Sequence, residues 1–255
     1  MRSHLFVALL LIVCMSCSES QKSEDNSPKK IKYDVVFREN LAGKYEKWNS
    51  ADGRLQYAYN YTDRGRGPEI TEEIVLNDQN YIVSESITGV NYLKDSISEN
   101  FEGLNGSASW KNPMSEDEAA FNGDKLYFRH DGSPAVYEIL AQLLIKSENK
   151  KIALYPKGEV ELINEFSITL SDSTTVKLLM IKGLEMNPRY IWLKDNEMIA
   201  SISGNLHIVR EDFTAFRKEL QSLQSTYGDE YLFKISKEVS NKIERVLIKN
   251  VNVFS

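Results

Sequence analysis

The stretch Ser133-Pro-Ala-Val-Tyr-Glu-Ile-Leu-Ala-Gln-Leu-Leu-Ile-Lys-Ser147 constrains the fold more than any other part of this chain. A proline loses no needed hydrogen bond at the first helical position, and a serine oxygen before it can cap free amides, so Ser133-Pro134 predicts a helix start. At helical spacing Glu138, Gln142 and Lys146 form one narrow polar stripe. Ala135, Val136, Ile139, Leu140, Ala141, Leu143, Leu144 and Ile145 cover most of the remaining surface, and a helix this apolar has to be enclosed on several sides.

What flanks it alternates with a period of two and is cut at short intervals by turn residues, so the enclosing material is sheet. Tyr33, Val35 and Phe37 alternate, and Asn49-Ser-Ala-Asp-Gly53 carries hairpin chemistry. Leu55, Tyr57, Tyr59 and Tyr61 then share one strand face, with Gln56, Ala58, Asn60 and Thr62 on the other. Further strands are predicted over 70–76, 81–87, 95–101, 107–110 and 125–129, and after the helix over 152–155, 159–170, 175–185, 189–193 and 198–203. Glu116-Asp117-Glu118 reads as a solvated loop or helix cap. The expected fold is mainly β (α+β): a curved antiparallel sheet wrapped around a central helix at about 133–147, followed by a C-terminal helical segment and one terminal strand. In the later segment Phe213, Phe216, Leu220, Leu223 and Tyr227 recur at steps of three and four behind Glu211 and Asp212, which predicts an amphipathic helix ending at Gly228. A second helical piece over 229–239 and an apolar strand over 245–254 complete the chain.

The start of the chain is of another kind. Arg2 precedes an unbroken apolar run from Leu5 to Val13, nine residues long, where a membrane-spanning helix needs roughly 20. It reads as a signal peptide, and Val13-Cys-Met-Ser-Cys17 resembles the lipobox of bacterial lipoproteins, with small Ser16 before Cys17. Acylation of Cys17 and loss of Cys14 would leave no thiol for disulfides, catalysis or metal binding. Residues 18–30 contain no apolar side chain, so they read as a tether. Its acidic start resembles signals that place lipoproteins on the surface of Gram-negative bacteria. The location expected is therefore the cell envelope, as an outer-membrane lipoprotein facing periplasm or surface, with the membrane as partner through the N-terminal lipid.

Chemistry is sparse in the remainder. With 42% hydrophobic residues the chain can build a core, and a net charge of -6 without a basic stripe argues against nucleic acid. His130 and His207 are isolated and read as surface or turn residues, and neither His-x-His nor His-Glu-x-x-His occurs. No Gly-x-Ser-x-Gly elbow is present. No catalytic residue, metal ligand or cofactor is therefore assigned within this chain. Arg64-Gly-Arg66-Gly-Pro68 could grip a carboxylate or phosphate, or could be a solvated turn. The candidate ligand surface is accordingly Tyr57, Tyr59 and Tyr61 with Arg64 and Arg66; the competing reading makes the tyrosines core.

Two stretches together resemble a known family. Phe37-Arg-Glu-Asn-Leu-Ala-Gly-Lys-Tyr-Glu-Lys-Trp48, Asp52-Gly53, Tyr61-Thr-Asp-Arg-Gly-Arg-Gly-Pro68, Ile87-Thr-Gly89 and Glu99-Asn-Phe101 resemble the β-rich region ahead of the catalytic domain in envelope amidohydrolase-family lipoproteins. Glu244 to Ser255 is similar to the opening strand of the amidohydrolase domain itself. The expected organisation is a signal peptide at 1–16, acylated Cys17 and a tether over 17–30, and a β domain with central helix at 31–207. A helical linker at 208–240 would lead to the first strand, at 241–255, of a hydrolase domain otherwise missing. The parent reaction would be metal-dependent hydrolysis of amide or other C–N bonds, with zinc confined to that missing domain. This chain would be its non-catalytic N-terminal domain, with its own or a separate hydrolase domain as partner. The alternative is a stand-alone envelope lipoprotein holding a lipid or hydrophobic ligand, since a curved sheet around a helix also resembles the half-barrels of periplasmic lipoprotein carriers.

Overall fold

The computed structural model describes residues 28–240 together with 245 and 249. The leader, Cys17, the start of the tether and nearly all of the expected 241–255 strand lie outside the described residues.

Eight strands form an antiparallel meander: β1 (Ile31–Phe37), β2 (Asn40–Asn49), β3 (Leu55–Tyr61), β4 (Glu69–Leu76), β5 (Ile82–Val90), β6 (Ser96–Leu104), β7 (Ser107–Lys111) and β8 (Glu116–Ala120). After β9 (Lys125–Tyr127) and the helix α1 (Ala135–Lys146) a second set follows: β10 (Lys151–Tyr155), β11 (Glu159–Thr169), β12 (Thr175–Lys182), β13 (Arg189–Lys194), β14 (Glu197–Ser203) and β15 (Leu206–Arg210). A 3-10 turn (Glu211–Phe216) leads into α2 (Arg217–Val239). All fifteen strands belong to one curved, open sheet, in the order β8 through β1, then β15 down to β9. The seam between the two sets is the β1–β15 pair, registered from Tyr33 opposite Arg210 to Phe37 opposite Leu206.

The expected curved sheet around a central helix is what the chain forms, with one departure from antiparallel pairing. β9 and β10 run parallel, with Lys125 opposite Ala153. Parallel neighbours cannot be joined by a hairpin and need a long crossover. α1 is that crossover, and it lies against the inner face of the sheet. Its Leu140 and Leu144 are fully buried among residues that include Tyr33, Tyr45, Phe101, Tyr127, Ile191 and Leu193. Aromatic rings line this interior, with Phe101 stacked on Tyr127 at 4.5 Å between centroids.

A second core occupies the outer face of β11–β15. Phe213 and Leu220 pack there against Leu178, Trp192, Ile199 and Val209. Strands covered on both faces read as continuous apolar runs, which explains Leu178-Leu-Met-Ile181 and Met198-Ile-Ala200. β6, open to water on its outer face, alternates strictly instead.

Three boundaries differ from expectation. β15 continues to Arg210, so a domain limit at 207/208 would cut a strand, and the segment from Phe213 to Gly228 packs on the sheet as part of the same fold, while 229–239 extends largely exposed. α2 passes straight through Gly228 to Val239. A Cβ at Gly228 would lie 2.6 Å from the Tyr190 hydroxyl oxygen, so this glycine allows a close approach instead of ending a helix. Glu116-Asp117-Glu118 is in the edge strand β8, its carboxylates exposed, where charge discourages pairing with another chain. The edge strand β8 is tied to the far end of the sheet where the Tyr155 hydroxyl on β10 donates to the Ala120 carbonyl at 2.6 Å.

Candidate functional site

The five residues expected to share a ligand surface are divided by the sheet. Tyr57 and Tyr59 point inward and belong to the core, at 3% and 7% exposure. Tyr61, at the strand end, is half-buried and stacks on Phe37 at 6.0 Å. Arg64 and Arg66 are exposed in the following turn, which is closed by paired backbone hydrogen bonds between Asp63 and Arg66 (2.7 and 2.9 Å). Only Tyr61 is near the arginines, because residues two apart on a strand step along one face from interior to rim. Cys17 lies outside the described residues.

The two histidines also separate. His130 is exposed, its Nε2 3.9 Å from Asp131. His207, expected at the surface, is buried in β15. Arg217 can only donate, so its Nη1, 2.9 Å from His207 Nδ1, identifies that nitrogen as the acceptor. Nε2–H then donates to the Gly204 carbonyl at 3.2 Å. Burial, with Arg217 beside it, pushes the imidazole pKa down, so His207 is a neutral structural group.

Sequence reasoning passed over the most heavily buried charges. Glu72 on β4, Glu85 on β5 and Glu99 on β6 point inward, beneath the 128–134 loop. Arg129 Nη2 lies 2.8 Å from Glu72 Oε1, and Nη1 lies 2.9 Å from Glu85 Oε1. The Ser133 amide donates to Glu72 (2.7 Å) and the Ser133 carbonyl accepts from Arg129 (2.7 Å). Glu99 accepts from the Tyr127 hydroxyl (2.7 Å) and from the His130 and Asp131 amides (2.8 and 3.1 Å). Burial pushes the Glu85 pKa well up against the pull of Arg129, and nearby Glu72 adds to the rise. Cut off from solvent, this cluster cannot meet a substrate. What it does is fix the loop that delivers the chain to α1. The available signal was phase: Glu72 stands between inward Ile70 and Ile74, and Glu99 between inward Ile97 and Phe101.

A cleft of about 310 Å³ opens between α1 and the β1–β3 strands. Trp48, Leu55, Tyr57, Leu76 and Ile139 form its apolar wall. Lys47 Nζ donates to both oxygens of Glu138 (2.7 and 2.9 Å), and the Met198 amide donates to the same carboxylate at 3.0 Å. Glu138, expected in the polar stripe, is thus buried, and the pair adds no net charge to the cleft. The volume falls at the lower end of the roughly 300–1,000 Å³ typical of small-molecule sites, and apolar walls with few polar groups are their usual make-up. Among the described residues no group of three or more His, Cys, Asp or Glu could hold a metal ion. No described helix is long and apolar enough to cross a membrane.

The class defined by this geometry is a curved, open β-sheet filled by its own crossover helix, with ligand-sized space beside that helix. No family model and no curated protein matches the chain. Among solved structures it is similar to a beta-barrel-like protein of domain of unknown function DUF1849 from Brucella abortus, with 10% identity and a TM-score of 0.40. That similarity covers 71% of this chain and 94% of the other, and carries no functional information.

Proposed function

We propose that the protein is a non-catalytic binding domain, anchored in the cell envelope of a Gram-negative bacterium through acylated Cys17, that holds the apolar part of a small hydrophobic or lipid-like molecule. The observation that carries this reading is the cleft beside α1, with Trp48, Leu55 and Ile139 facing a space whose one buried ion pair is internally satisfied. An alkyl chain entering it removes apolar surface from water, worth about 0.8 kcal/mol per buried CH₂. Titration with straight-chain alcohols of increasing length should alter Trp48 fluorescence saturably, with affinity rising until the cleft is full. Ile139→Trp, which fills the space, should abolish the response in a protein of native circular dichroism. An unchanged titration in that variant would overturn the assignment. The anchor has its own test: Cys17→Ser should move the protein out of the membrane fraction while Cys14→Ser leaves it there.

A second reading, the N-terminal domain of an amidohydrolase-like protein, is favoured by the sequence resemblance and by one surface. Leu232, Phe233 and Val239 stand exposed on α2, immediately before the segment similar to the opening strand of a hydrolase domain. Under that reading zinc and the hydrolysis of C–N bonds belong to the following domain. A coding frame that continues past Ser255 into a His-x-His motif supports it, and a stop codon there supports a stand-alone protein.

A further inference from the structure

The opposite end of α1 holds a second cavity, of about 230 Å³, on the inner face of β13–β15. Tyr59, Tyr137, Arg189, Ser201 and Ser203 supply its polar groups, and the chain enters α1 at its edge through Gly132, Ser133 and Pro134. The twelve-residue helix directs the positive end of its dipole there.

One of these side chains is incompletely paired. Arg189 Nε is buried and without a hydrogen-bond partner among the described residues. Ser201 and Tyr59, 3% and 7% exposed, also line the cavity. Leaving a buried donor unpaired is costly, so the bare Nε–H of a side chain that lines this space is a feature to be explained. The guanidinium fork is half used. Nη2 pairs with Glu185, which is half-exposed on the turn between β12 and β13, while Nε–H beside it on the same edge is bare.

The geometry points to this cavity as a binding site for a small carboxylate. A planar carboxylate fits the Nε/Nη2 edge with two parallel hydrogen bonds, which the single Glu185 oxygen does not make. The hydroxyls of Ser201 and Tyr59 can donate to its remaining lone pairs, and the α1 dipole favours its charge. Leu206 and Ile208 form the wall against which a short apolar body would rest. Glu185, which stands outside the cavity lining, gives up Nη2 and swings toward solvent when the carboxylate binds. The site is separate from the Trp48 cleft, so either can fail alone.

Propionate and inorganic phosphate are the probes, followed by NMR on the full chain through the Arg189 Nε–H resonance. Propionate should shift that resonance saturably, and Arg189→Met should lose about tenfold or more in affinity, as removal of a charge-assisted bond predicts. Ser201→Ala should weaken binding several-fold, and carries the test if Arg189→Met does not fold. Absence of saturable propionate binding, or equal affinity in a folded Arg189→Met or Ser201→Ala protein, overturns the assignment. Binding of phosphate in preference to propionate overturns the carboxylate class.

Discussion

At the scale of single residues, the interior is organised by charges that were placed against the usual rule. Three glutamates occupy inward positions, and Arg129 reaches two of them from a loop far along the chain. Strand phase alone marks Glu72 and Glu99 as inward, so that much is legible in the order of residues. Their partner is not, because alternation says which way a side chain points and nothing about which loop closes over it. Glu85 gives the sharpest consequence. Its folded pKa lies above the ordinary 4.5, so from that pH upward the native state holds a proton the unfolded chain has lost. Stability therefore falls as pH rises through this window. His207 acts oppositely, its lowered pKa making it a stabilising neutral group above about 6.5 whose contribution fades as pH falls below that value. Glu85→Gln keeps the neutral shape and leaves His207 untouched, so the difference between variant and wild type isolates the carboxyl. Urea unfolding at pH 5 and pH 8 should show the wild type losing more stability on going to pH 8 than the variant does. Equal slopes would mean Glu85 is ionised in the fold.

At the scale of elements, α1 is legible because a 3.6-residue period with one narrow polar stripe has a single meaning, and most strands because alternation and turn residues agree. β8 and β15 are not, one because three successive acids resemble a loop, the other because five residues running into a helical turn are too few to show a period. If α1 is enclosed as described, Leu140→Ala or Leu144→Ala should cost about 2–5 kcal/mol in denaturant unfolding. α2 poses a finer question at Gly228. In an open helix glycine to alanine gains up to about 1 kcal/mol, but here the new methyl meets the Tyr190 hydroxyl. Gly228→Ala should therefore be neutral or destabilising alone, and should recover its gain in a Tyr190→Phe background. Additive effects of the two substitutions would remove Tyr190 as the reason for the glycine.

At the scale of the whole molecule, one sheet serves two cores, and the difference between its halves follows from what covers them. β4, β6 and β7 have one face in water and alternate; β12–β14 have α1 on one side and α2 on the other and do not. The continuous apolar runs of β12 and β14 are therefore a sign that something lies on the outer face, yet periodicity in α2 shows only that it is amphipathic, not which surface it covers. This is why 208–240 reads as a linker from sequence while its first part, as far as Gly228, covers the sheet in the fold. The distinction can be measured. A chain ending at Arg210 keeps all fifteen strands and α1 but bares Leu178, Trp192, Ile199 and Val209. A contiguous exposed apolar patch of that kind invites association. The truncated protein should bind a hydrophobic dye, aggregate at concentrations where the longer chain is monomeric, and unfold at lower urea. A chain ending at Ser240 should do none of these. If the Arg210 truncation matched it in solubility and unfolding midpoint, α2 would be a connector after all, and the outer core would contribute nothing to holding the sheet.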